Sequence, residues 1–117
     1  MPHVARTLNN LAILHANREI LDQAETGFIE ALKIYRDLAQ SNPQIFMPEM
    51  AMTLSNLAHV HMETDNLDQA ETEYTEALNI YQNLIQLNPQ GSMLNTALDI
   101  NKSLILFEFR IEIKRMV

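Results

Sequence analysis

Cysteine is absent from this 117-residue sequence, and glycine and proline are scarce, at two and four residues. Without cysteine there is no disulfide framework, no thiolate metal site and no cysteine nucleophile, and the composition is compatible with a reducing cytoplasm. Two glycines cannot build a phosphate-cradling loop, and so few turn-forming residues favour long helices over many short strands. No strictly apolar run exceeds four residues, as at Leu104–Phe107, whereas a signal peptide or a spanning helix needs far more. The expectation is a cytoplasmic protein without membrane association. Positive charge is missing from the middle of the chain, where no Lys or Arg stands between Asp37 and Asp99. Phosphate backbones are gripped by Lys and Arg, so nucleic acid is not expected as a partner.

Acidic residues occupy that middle stretch, among them Glu49, Glu63, Asp65, Asp68, Glu71, Glu73 and Glu76, and the formal net charge is -7. The basic residues stand at the two ends: Arg6, Arg18, Lys33 and Arg36, then Lys102, Arg110, Lys114 and Arg115. Such a distribution reads either as a solvated face that aids solubility or as a landing patch for a basic partner. Hydrophobic residues make up 47% of the chain, enough for an ordinary globular core.

The chain repeats itself. The opening Met-Pro returns at Met47-Pro48, Leu21–Thr26 returns at Leu67–Thr72, and Asn42-Pro43-Gln44 returns at Asn88-Pro89-Gln90, always 46 residues on. Residues 1–46 and 47–92 are identical at 25 of 46 aligned positions. A weaker third register follows, with Met93 answering Met47 and Ala97 answering Ala51. Periods of this length mark solenoids. The organisation expected is one domain, 1–117, divided into 1–46, 47–92 and a diverged half unit, 93–117.

Each unit reads as two helices. Leu8, Leu11, Ala12 and His15 form one helical stripe, and Ala24, Phe28, Ala31, Leu32, Tyr35 and Leu38 form another. The second unit repeats them as Leu54, Leu57, Ala58 and His61, then Ala70, Tyr74, Ala77, Leu78, Tyr81 and Leu84. Pro2 and Pro48 suit the first turn of a helix. Asp22, Glu25, Asp68 and Glu71 suit the start of a second helix, with Asn66 as a candidate N-cap and Gln69 as its partner. Asn42-Pro43 and Asn88-Pro89 stop the second helices. These signals predict helices near 3–18, 21–41, 48–64, 67–87 and 93–115, an all-α solenoid of antiparallel helix pairs.

These residues resemble the tetratricopeptide repeat family, whose helix pair carries L-x-x-L-A/G-x-x-Y and then A-x-x-x-F/Y-x-x-A-L. Leu8, Leu11, Ala12, His15, Ala24, Phe28, Ala31 and Leu32 match in the first unit, and the residues 46 further on match in the second. The period exceeds the family's usual one of about 34 residues, as in long-helix variants. His15 and His61 stand where Tyr is usual, and Glu19 and Asp65 stand where the inter-helix turn usually has Gly.

The resemblance implies a protein-binding module, a scaffold or adaptor, whose first helices line a concave groove. Carried over by position, the groove comprises Arg6, Asn9, Ile13, Ala16, Met52, Ser55, His59 and Met62, with Leu98, Asn101, Ile105 and Glu108 from the half unit. The family's carboxylate clamp is not expected, because Asn9 and Ile13 hold the positions of its Lys and following Asn. The groove, rich in Met, Ile, Asn and His, suits an apolar or helical peptide, while the acidic surface suits a basic one. No enzyme activity, cofactor or metal is expected: no H-x-x-x-H spacing, G-x-S-x-G context or isolated carboxylate in an apolar run occurs.

The half unit carries Leu94, Leu98, Ile100, Leu104, Ile105, Leu106, Phe107, Phe109, Ile111 and Ile113 without a second helix to cover them. Leaving five or six such side chains in water would forfeit on the order of 10 kcal/mol. Either a second copy or a continuation of a longer array would cover them; self-association through Leu98, Leu104, Ile105, Phe107, Phe109 and Ile111 is the alternative reading, a structural element whose partner is a second copy. Residues 107–114 also alternate apolar and charged with period two, a strand pattern, so helix and strand both remain open there; the repeat register favours helix. Arg110, Lys114 and Arg115 are expected to settle against the acidic second unit.

Overall fold

The computed structural model describes residues 1–87, 101, 105 and 108–116. Within residues 1–87 four helices succeed one another: α1 Pro2–Asn17, α2 Leu21–Ser41, α3 Pro43–Glu63 and α4 Leu67–Leu87. Each packs against its predecessor, and α1 touches α3 only lightly. Connections of a few residues leave antiparallel packing as the available arrangement. Most of the predicted stripe residues form the core: Ala12, Ala24, Phe28, Ala31, Leu54, Leu57, Ala58, Ala70, Tyr74 and Ala77 are buried, whereas Leu11 of the first stripe is exposed and Leu8 and His15 are half-buried, because no helix covers that side of α1 among the described residues. Small residues at these points allow close approach, most tightly at Gly27, where a Cβ would lie 2.9 Å from Ala12 Cβ. The aromatic rings fill the space beside them. Burial, with Glu49 nearby, pushes the Tyr81 hydroxyl up to about 12.

The two turns within helix pairs are copies of each other. Glu19 has φ 61° and Asp65 φ 62°, the left-handed conformation that glycine adopts without cost. The Ile20 N–H donates to His15 O at 2.8 Å and the Glu19 N–H to Ala16 O at 3.0 Å; Asn66 and Asp65 repeat this to His61 O and Met62 O at 2.8 and 3.3 Å. This double bond pattern is a Schellman close, which satisfies the last carbonyls of a helix through a left-handed residue. The Asn66 side chain turns back, its amide donating to the Thr64 hydroxyl at 2.8 Å.

The joint between the pairs differs from its sequence-based expectation. α3 begins at Pro43, five residues before the predicted 48. Asn42 alone is extended, at φ -136° and ψ 71°. The residue before proline avoids the α region, so α2 ends there. Pro43 then re-enters a helix at its first position, where a missing N–H is harmless. Pro48 consequently lies inside α3 instead of opening it. Its lost N–H frees the carbonyl of Gln44, an exposed residue, so water can serve it.

Asn101, Ile105 and residues 108–116 are helical, which removes the strand reading over 108–114. Ile111 is half-buried and packs against the core, so it is not an open self-association residue. Lys114 pairs with Asp65 at the α3–α4 turn, as the charge distribution predicts, while Arg115 lies 3.8 Å from Glu112 one helical turn away. Leu94, Leu98, Ile100, Leu104, Leu106 and Phe107, named above for the half unit, lie outside the described residues, as do the Asn88-Pro89 stop and the Met93 and Ala97 register.

Candidate functional site

The residues assigned to the groove lie on α1, on α3 and in the C-terminal half unit, and their exposure divides them. Arg6, Met52, His59, Asn101, Ile105 and Glu108 are exposed, with Met52 at 49%. Ile13, Ala16, Ser55 and Met62 are half-buried, and Ile13, Ala16 and Met62 lean on the core. Asn9 is different. It is buried, and its Oδ1 accepts from the buried Thr53 hydroxyl at 3.1 Å. Asn9 is therefore a polar tie between α1 and α3 and is not available to a partner. A lone buried amide must find such a bond, because leaving it unmet costs about 1–3 kcal/mol.

Ala16 and His59, from the two helix pairs, come together at an open depression of about 520 Å³. Its other walls are Leu21, Val60, Glu19 and Glu63. The left-handed turn at Glu19 brings that carboxylate to the rim, and Glu63, on the last turn of α3, stands across from it. The result is an apolar floor with two carboxylates and an exposed imidazole. Such a surface accepts a side chain with an aliphatic stem and a cationic end.

A separate polar cluster joins three helices. His61 is 2% exposed. Its Nε2 lies 2.7 Å from Glu25 Oε2 on α2, and its Nδ1 lies 2.7 Å from Glu73 Oε1 on α4. An ionised carboxylate only accepts, so two protons shared over the three groups are needed to complete both hydrogen bonds. Burial pushes the Glu73 carboxyl above its ordinary value, against the opposing pull of the His61 hydrogen bond. Farther along, Arg36 of α2 holds Glu76 of α4 with two bonds, Nη1 to Oε2 at 2.6 Å and Nη2 to Oε1 at 2.8 Å. Donating these bonds to the Glu76 carboxylate raises the Arg36 guanidinium above its ordinary value. Together these ties clamp α2 onto the α3–α4 pair.

The sequence stripe placed His61 in a packing or groove role; the structure buries it. The Glu25 and Glu73 partners were not legible as such. A signal existed: Leu67–Thr72 repeats Leu21–Thr26 residue for residue, yet the next position changes from Gly27 to Glu73. Among the described residues no group of three or more His, Asp or Glu side chains is arranged to hold a metal ion. No helix among them is long and apolar enough to cross a membrane.

A family model described as tetratricopeptide repeat matches this sequence twice, over residues 4–43 and 50–88. No curated protein matches it.

Proposed function

The chain belongs to the tetratricopeptide repeat family, and we propose that it is a scaffold or adaptor module that binds a peptide segment of a partner protein along the concave side of α1 and α3. Repeats of this family generally mediate protein–protein interactions and are typically non-catalytic. The observation that carries the reading is the depression between Ala16 and His59, rimmed by Glu19 and Glu63. Its chemistry favours a basic residue flanked by apolar ones, the apolar part lying against exposed Met52, whose flexible thioether adapts to varied shapes. Arg6 and Asn101 extend the proposed surface, and Ile13, Ser55 and Met62 support it from below. The test is selection of peptides from a random display library against the immobilised chain. Peptides with Lys or Arg beside apolar residues, bound less tightly by a Glu19→Lys, Glu63→Lys double variant, support the groove. Selected peptides indifferent to both substitutions overturn it.

A second reading has its own observation. Ile105, Phe109 and Ile113 are 58%, 64% and 48% exposed and recur every fourth residue, one stripe of a helix open to water. That stripe supports self-assembly through the C-terminal segment. A solution mass above that of one chain, restored to one chain by Phe109→Glu, is the expected sign of it. A single-chain mass at all concentrations contradicts it.

A further inference from the structure

The two helix pairs share a sequence but not a neighbour. Leu54, Leu57 and His61 on α3 are 0%, 2% and 2% exposed, and α2 packs along that helix. Their equivalents 46 residues earlier, Leu8, Leu11 and His15 on α1, stay open: Leu11 is 48% exposed and the other two are half-buried. They line an apolar depression of about 300 Å³ together with Gly27, Thr26 and Glu30 of α2. Among the described residues the His15 ring has no hydrogen-bond partner, whereas His61 has two. The chain therefore displays, within itself, what covers a face of this kind.

That cover has a readable signature. α2 presents Glu25 to His61, Leu32 in the buried core, and Arg36 to Glu76. These residues stand at 0, +7 and +11, which falls on one narrow stripe of an α-helix. The matching receptors on the open face are already present. His15 stands for His61, Leu11 for Leu57, and Glu30 for Glu76. At the position of Glu73 the first pair has Gly27, which leaves the depression unfilled.

We propose that the open face built from Leu8, Leu11, His15 and Glu30 docks the second helix of a repeat of this same design in a partner protein, a helix presenting an acidic, an apolar and a basic residue at 0, +7 and +11. This face is separate from the concave groove, so the proposal stands whether or not the groove binds peptide. Within a second copy, α2 cannot supply the helix, because its stripe is already covered by α3 and α4. The α4 of a second copy carries Glu71 at the Glu25 position but Gln82 at the Arg36 position, and so lacks the cation for Glu30.

The test uses the full chain, isotope-labelled, and a synthetic peptide of residues 20–42 as the probe. A lactam between its Lys33 and Asp37, both exposed and one helical turn apart, holds the peptide helical. The expected result is saturable binding with amide shifts at Leu8, Leu11 and Gly27, weakened about tenfold or more by Leu11→Glu in the chain. Leu11 and Glu30 are both exposed, so a second variant, Glu30→Arg, is available should Leu11→Glu disturb the fold. Glu30→Arg should weaken the original peptide and favour one carrying Arg36→Glu. Shifts confined to Met52, His59 or α4, or no shift up to about 1 mM peptide, overturn the proposal. So does self-association of the chain alone that Leu11→Glu abolishes, which would make a second copy the occupant.

Discussion

His61 Nε2 on α3 lies 2.7 Å from Glu25 Oε2 on α2, and the same ring reaches Glu73 on α4 through its other nitrogen at 2.7 Å. One buried side chain thus ties the first helix pair to the second. Removing it leaves a largely buried carboxylate at Glu73 without its donor. Charged hydrogen bonds of this kind are worth about 1.5–3 kcal/mol, and an orphaned buried charge costs more. His61→Ala should lower the unfolding free energy by about 2–4 kcal/mol by these measures, read from urea denaturation. His15→Ala, at the equivalent position with no such partners, should change it by no more than about 0.5 kcal/mol. Equal effects of the two substitutions would contradict the clamp.

Acidity should act on the same cluster. The native Glu73 carboxyl is raised above its unfolded value by burial. A raised group binds its proton more tightly in the folded state, so its contribution to stability is fully present at low pH and fades as pH rises through the native value. Glu73→Gln removes that dependence. The stability of the natural chain relative to this variant should therefore rise as pH falls from neutral into the range above 4.5, measured by denaturation at several pH values. A difference that is flat with pH, or of opposite slope, would contradict the assignment.

Backbone strain at the turns gives a gain-of-stability prediction. Glu19 at φ 61° bears the crowding that a left-handed conformation imposes on any residue with a Cβ. Glu19→Gly should stabilise the fold by about 0.5–1 kcal/mol, after allowance for the freer unfolded chain. Asp65→Gly should gain less, because it also releases Lys114. Thermal unfolding of the two variants reads the order directly; a loss at Glu19 would contradict it.

Gly27 is a packing requirement of the opposite sort. Its Cβ would fall 2.9 Å from that of Ala12, an atom on a rigid helix. Overpacking of this degree costs about 1–3 kcal/mol, while alanine's helix preference returns up to about 1. Gly27→Ala should be net destabilising by about 1 kcal/mol on that balance, measured by denaturation. A stabilised variant would mean that α1 and α2 separate easily.

Much of this architecture was legible in residues. The stripe from Ala24 to Leu38 and its copy from Ala70 to Leu84 place α2 and α4 at 21–41 and 67–87, where they are found. The repeat made these readings firm, since each stripe was seen twice. The repeat also misled. Aligning Pro48 with Pro2 suggested that both open helices, yet Pro43 does so for α3, because a proline after an extended Asn42 is itself a helix start. At the candidate site, the family resemblance put Asn9 on the groove side of α1 but could not show Thr53 waiting across from it. The Glu25–His61–Glu73 cluster brings together three helices far apart in sequence, a relationship that spacing within one helix does not encode.

The most direct measurement of the proposed role is a titration of a selected basic–apolar peptide into the isotope-labelled chain, followed residue by residue. Shifts gathered at Ala16, Glu19, Met52, His59 and Glu63, with affinity reduced about tenfold or more by Glu19→Lys, Glu63→Lys, are the predicted result. Binding that leaves those amides unmoved and centres on the exposed Ile105, Phe109 and Ile113 stripe would contradict it.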